Sequence, residues 1–114
     1  MPESINSDLI RGHIDTIILK ILWEGDNYGY EIMKAVSTNS AGEYELKEPS
    51  LYTSLKRLEK QGHIQSYWGD ESQGGRRKYY RITESGRTVL ERALSEWTTA
   101  QRIINRLLQG GAAQ

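Results

Sequence analysis

Cysteine is absent from the 114 residues, which excludes disulfide staples, thiolate metal ligands, cysteine nucleophiles and thiol redox switches and suits a reducing, cytoplasmic compartment. Long apolar runs are absent as well. The strongest, Ile17 to Trp23, is broken by Lys20 and falls far short of the roughly 20 residues a membrane span needs. Met1-Pro2-Glu3-Ser4 has neither a basic nor an apolar signal region, so no secretory leader and no membrane partner are expected. Enzymatic constellations are missing too. His13 and His63 are far apart with no metal-ligand spacing, and Gly74-Gly75 does not lie between a strand and a helix as a phosphate loop would. No catalytic residue, metal or cofactor is expected. What remains, 37% hydrophobic and 26% charged residues, describes one soluble domain with one modest core.

Net charge is also lacking: 15 basic side chains balance 15 acidic ones. The distribution is uneven, however. Residues 50–87 hold Lys56, Arg57, Lys60, Arg76, Arg77, Lys78, Arg81 and Arg87 against only Glu59, Asp70, Glu71 and Glu84. The first 49 residues are correspondingly acidic. A cationic middle in a neutral chain is either a solvated face or a patch for a phosphate backbone, and charge alone favours the former.

Periodicity gives the order of elements. Ile10, Ile14, Ile17, Ile18 and Ile21 form a helical stripe over about residues 8–24, with Leu9 and Thr16 off it. Gly25-Asp26-Asn27 is a turn whose Asp26 or Asn27 can cap a second helix, about 28–38, that buries Ile32, Met33 and Val36. Pro49 in the first turn and Gly62 just past the end bracket a third helix with Leu51, Tyr52, Leu55 and Leu58 on its apolar face. Residues 63–69 and 77–82 alternate and read as two strands around a polar hairpin loop. Thr83 caps a long helix, about 84–109, and a frayed tail follows. The predicted fold is mainly α with a small β-hairpin: a winged helix-turn-helix over 1–83, a dimerisation helix over 84–109 and a flexible tail over 110–114.

On that fold the third helix is a recognition helix and the hairpin is a wing. Ser50 and Thr53 suit base edges or phosphates. Lys56 and Arg57 suit phosphates, or guanine where they reach the groove. At the wing tip, Gly74 and Gly75 let the backbone approach a duplex while Arg76, Arg77 and Lys78 straddle phosphates. Double-stranded operator DNA is the expected partner.

The last helix carries Leu90, Ala93, Leu94, Trp97, Ala100, Ile104, Leu107 and Leu108 at spacings of three and four. A stripe that long cannot be covered by its own small core, so a second copy of the chain is the expected cover. Two-fold pairing also sets two recognition helices about one DNA turn, roughly 34 Å, apart. Trp97, at the middle of the stripe, is either a dimer-core residue or a stacking platform for a flat guest. Trp23 and Trp68 read as structural residues that close the first helix and pack on a strand.

The segments Leu51–Glu59 (LYTSLKRLE) and Ser66–Arg81 (SYWGDESQGGRRKYYR), with Gly25-Asp26-Asn27-Tyr28, resemble PadR-family transcriptional regulators, and the similarity spans about residues 8–108. It implies a homodimeric repressor dimerised by its last helix. The wing most resembles that of a multidrug-binding member of the family, which implies a flat pore at the dimer centre where both copies of Trp97 stack on planar aromatic compounds. The resemblance extends the pore to Leu9, Asp15, Thr16, Ala93, Leu94 and Gln101. Leu9, Thr16 and Leu94 stand where that member carries Met, Val and Phe, and Gln101 where it carries an acidic residue. A small-molecule-binding dimer or scaffold without gene-regulatory activity is the alternative.

Overall fold

The computed structural model describes residues 5–69 and 76–110. Its elements run α1 (Ser7–Arg11), α2 (Ile14–Trp23), β1 (Asn27–Tyr28), α3 (Gly29–Asn39), α4 (Glu48–Lys60), β2 (Ile64–Trp68), β3 (Lys78–Ile82) and α5 (Glu84–Leu108). The architecture is the expected one, mainly helical with a small sheet and a long final helix.

Two expectations need correction at the N-terminal end. The single helix over about 8–24 is two helices. Gly12 lowers helix propensity, and the chain tightens there into a turn in which the His13 amide donates to the Ile10 carbonyl (2.8 Å). Asn6 caps α1 by accepting from the Asp8 amide at 2.7 Å. The buried face of α2 is also wider than the isoleucine stripe. Ile18, Leu19, Ile21 and Leu22 are buried, with Ile14 and Ile17 packed against them, because α3, α4, α5 and β3 all pack on this helix.

Neither Asp26 nor Asn27 caps the following helix. Asn27 and Tyr28 form β1, an edge strand antiparallel to β3 in a sheet of order β1-β3-β2, and Tyr28 is the N-cap residue of α3 with no side-chain bond. The hairpin strands match the alternation, with Ile64 paired to Ile82, Ser66 to Tyr80 and Trp68 to Lys78. Gly74 and Gly75 of the expected wing tip lie outside the described residues, as does most of the expected tail, 111–114.

The punctuation residues act as their chemistry dictates. Gly62 (φ +80°) ends α4 in a left-handed turn, with the His63 amide on the Leu58 carbonyl and the Gly62 amide on the Glu59 carbonyl, both at 3.0 Å. The Thr83 hydroxyl accepts the Gly86 amide at 3.1 Å to start α5. The core joins Leu51, Leu55 and Leu58 of α4 to Ile32, Ile64, Tyr80, Ile82 and Leu90. No helix among the described residues is long and apolar enough to cross a membrane.

Candidate nucleic-acid interface

Helix α4 turns Leu51, Ser54, Leu55 and Leu58 inward. At 100° per residue the opposite side is Thr53, Lys56 and Lys60, all exposed, with Ser50 beside them. Pro49 in the first turn needs no intrahelical partner for its nitrogen. Neither lysine takes part in an ion pair among the described residues, so both ammonium groups stand in water above the helix.

Arg57 sits on the flank of α4 that faces α2, and its guanidinium is spent inside the subunit. Nε and Nη2 donate to the two carboxylate oxygens of Asp15 at 2.9 and 2.7 Å, and Nη2 also donates to the Ser54 hydroxyl at 3.1 Å. One residue expected on DNA thus binds one expected in the pore. Burial pushes the Asp15 carboxyl up, but the hydrogen bonds from Arg57 and Ser54 and the guanidinium charge outweigh it and hold the pKa below its ordinary 3.8. A lowered folded pKa means the pair stabilises above that ordinary value and is lost as pH falls through the depressed one. Asp15→Asn is therefore expected to cost about 0.5–1 kcal/mol at neutral pH, modest because the pair is partly solvated. The gap to wild type in urea midpoints should close in acid. A gap that stays constant down to pH values below 3.8 would assign the loss to packing instead.

The opposite flank of α4 meets the sheet, where the Ser66 hydroxyl donates to Glu59 at 2.6 Å. Strand alternation then sorts the wing's basic run. Arg76 lies over the Trp68 ring (5.1 Å) and Lys78 approaches the Tyr80 ring (5.9 Å) on the face turned to α4. Arg77 lies on the other face, over Tyr28 at 4.8 Å. That outer face carries a row of tyrosines across all three strands: Tyr28 edge-on to Tyr79 (5.3 Å), and Tyr79 stacked on Tyr67 (5.7 Å). Arg81 closes the row over Tyr67 at 4.9 Å. Asp26 accepts from the Tyr67 hydroxyl at 2.6 Å and from Arg81 at 3.4 Å. The Asp26 hydrogen bond holds the Tyr67 phenol above its usual pKa, and burial does the same for Tyr80. Asp26 is thus a brace for the wing. The sequence shows this only to a reader who already pairs β1 with β3.

Among the expected pore residues, Trp97 is half-exposed at 47%, and the His13 ring meets it edge-on at 4.8 Å. His13 has no role visible in the sequence, since the turn at Gly12 that brings it there is not visible either. Ala93 and Thr16 are partly buried, Leu94 and Gln101 exposed, and Leu9 largely exposed on α1. Trp23 and Trp68 are more solvated than structural residues would be. Trp23 is 38% exposed beneath Arg87 (4.7 Å), and Trp68 is 58% exposed. Beyond Leu90 the apolar stripe of α5 lies open except at the partly buried Ala93 and Ala100, and residues 101–110 are exposed throughout.

The model of the "Transcriptional regulator PadR-like family" matches residues 18–92, which run from α2 into the first turns of α5. The chain belongs to the PadR-like family. An uncharacterized protein X of Lysinibacillus sphaericus is 44% identical over 106 residues, covering 93% of this chain and 97% of its own. A transcriptional regulator from Clostridium thermocellum has a similar structure, with a TM-score of 0.81 at 47% identity, over 88% of this chain and 97% of that one. A PadR-family transcription regulator from Clostridium difficile follows, with a TM-score of 0.76 at 43% identity, over 85% and 99%. A PadR-type protein is a DNA-binding transcriptional regulator, and the free side of α4 and the basic wing are where this one offers cations and hydroxyls. Among the described residues no cluster of three His, Cys, Asp or Glu side chains could hold a metal ion.

Proposed function

We propose that this PadR-family chain is a homodimeric repressor that grips operator DNA with α4 and the wing and responds to planar aromatic compounds held at the dimer centre. The observation that carries the reading is the open apolar stripe of α5 with a half-exposed indole at its middle. Leu94, Trp97, Ile104, Leu107 and Leu108 together expose far more apolar surface than scattered side chains on a monomer, and a self-complementary helix pair buries it. A copy of Trp97 near a two-fold axis faces its mate, so a flat guest between them gains two ring faces. The likeness of the wing to a multidrug-binding member of the family supports the same reading. Ser50, Thr53, Lys56, Arg76 and Lys78 serve as DNA contacts in this reading. Arg57 and Arg77 hold the scaffold through Asp15 and Tyr28 in this reading. Leu9, Thr16, Ala93, Leu94 and Gln101 surround the slot, and Gln101 adds no charge to it. The coupling between guest and DNA needs only about 1–3 kcal/mol to change occupancy 5–150-fold.

Tryptophan quenching by a panel of planar aromatic dyes tests this reading. Trp97→Ala is expected to weaken dye binding by about tenfold or more, as a stacked aromatic pair and its area are lost, and to leave affinity for DNA near wild type. Dye affinity unchanged in Trp97→Ala would remove the platform. A dimer that binds dyes tightly yet retains no duplex at low salt would favour the alternative of a binding scaffold.

A further inference from the structure

We infer that Trp68 is a DNA-contacting residue: its ring forms the apolar floor of a cationic shelf on the α4 side of the wing, against which the sugar–phosphate backbone of a duplex lies. The inference rests on the DNA-binding reading above and goes beyond it by naming an uncharged contact and the face of the wing that is used.

Three observations place it. First, Ile64, Ser66 and Trp68 share one face of β2, because side chains alternate. Ile64 is in the core and Ser66 is bonded to Glu59 of α4, so that face is the one turned toward the recognition helix. Trp68 continues it outward, roughly 13 Å beyond Ile64 at about 3.3 Å per residue. There the core ends and the ring is 58% exposed. Second, cations gather on that face. The Arg76 guanidinium lies over the ring at 5.1 Å and Lys78 is the cross-strand partner of Trp68, while Lys56 and Lys60, in no ion pair among the described residues, stand on the adjoining open side of α4. Third, packing within the subunit does not account for the position. The hydrogen bonds of the sheet need no indole, and a large ring left in water forfeits the transfer energy it would gain when covered.

A deoxyribose edge flanked by phosphates fits this surface. The sugar is apolar enough to lie on a ring, and phosphates on either side meet Arg76 and Lys78. The Arg76 guanidinium, held over the ring, places a cation beside a sugar that lies there.

The test uses the full-length protein and a random-sequence duplex of about 30 base pairs, some three helical turns, titrated over a range of salt. Covering roughly 50–60 Å² of ring corresponds to about tenfold in affinity. Trp68→Ala is therefore expected to weaken binding about tenfold at every salt concentration and leave the slope of log affinity against log salt unchanged. Arg76→Ala should instead reduce that slope by about one unit. Trp68→Ala binding within twofold of wild type overturns the assignment. Failure of wild type itself to retain duplex at low salt overturns the DNA-binding reading beneath it, a result distinguishable from the first. Should Trp68→Ala melt earlier than wild type, Trp68→Thr, which keeps a β-branched residue in the strand, replaces it: lost affinity in a variant that melts like wild type supports the contact, and retained affinity overturns it.

Discussion

Replacing Ile104 and Leu108 with glutamate together is expected to convert the dimer to a monomer of 13.1 kDa by sedimentation and to lower affinity for a two-half-site duplex by about 10²–10⁴-fold. Both side chains are exposed in the subunit, at 48% and 81%, so the carboxylates are tolerated in an isolated chain. In a helix pair they would be buried without counter-ions. The DNA effect follows from geometry. Once one recognition helix is docked, the second is held at millimolar effective concentration, and a monomer forfeits that gain without losing a single DNA contact. The shape of the chain supports the expectation. Its extents are 62 × 37 × 21 Å, and α5, about 38 Å long at 1.5 Å per residue, runs its last turns outside the body of the fold. A double variant that sediments as a dimer would move the interface off the C-terminal half of α5. It would also remove the reason for placing two Trp97 rings face to face.

What the sequence makes legible follows from which interactions are local. Pro49 starts α4 by a fixed φ and a nitrogen that needs no partner, Gly62 ends it and Thr83 starts α5 through bonds three to five positions long, and periodicity fills the spans between them. The recognition helix, the wing and the long helix are therefore readable. Interactions that cross the chain are not. β1 is two residues long, too short for alternation to show, and it exists because Asn27 and Tyr28 pair with Tyr80 and Tyr79. Asp26 looks like a helix cap because capping is what an aspartate in that setting does locally. Its bond to Tyr67 spans 41 positions. Asp15 and Arg57, 42 positions apart, are each legible as a polar residue on a helix, and only folding shows that they neutralise one another. The break at Gly12 is local, yet the isoleucine period runs straight across it, and the stronger pattern hides the weaker signal. His13 beside Trp97 is a consequence of that break. The candidate site is accordingly legible as a set of elements, while its internal wiring is not.

Gly86→Ala is expected to destabilise the protein by about 3 kcal/mol, the upper end of the range for overpacking. A Cβ built at this position runs into the His63 carbonyl oxygen and meets Cγ1 of Ile82 at 2.8 Å. The first obstacle is backbone, which cannot rotate away. It is also committed, since the His63 carbonyl accepts the Thr83 amide at 3.0 Å. Around it the Thr83 and Ser85 hydroxyls both donate to the Gly62 carbonyl, at 2.7 and 3.1 Å, so the start of α5 is stitched to the turn between α4 and β2. An alanine must push α5 off that turn, and α5 is the element on which the proposed dimer face lies. The variant should therefore lose stability and, at temperatures where it remains folded, bind the two-half-site duplex less tightly, because the angle between dimer helix and recognition helix shifts. Gly12→Ala is the matched control. Its Cβ meets nothing within 4 Å and its φ of −73° suits any residue, so it should be neutral or stabilising by up to about 1 kcal/mol. Thermal unfolding of both variants beside wild type reads the difference. A Gly86→Ala protein that melts and binds like Gly12→Ala would show that the joint between α4, the wing and α5 is compliant, too soft to transmit a change at the dimer helix to the heads that hold DNA.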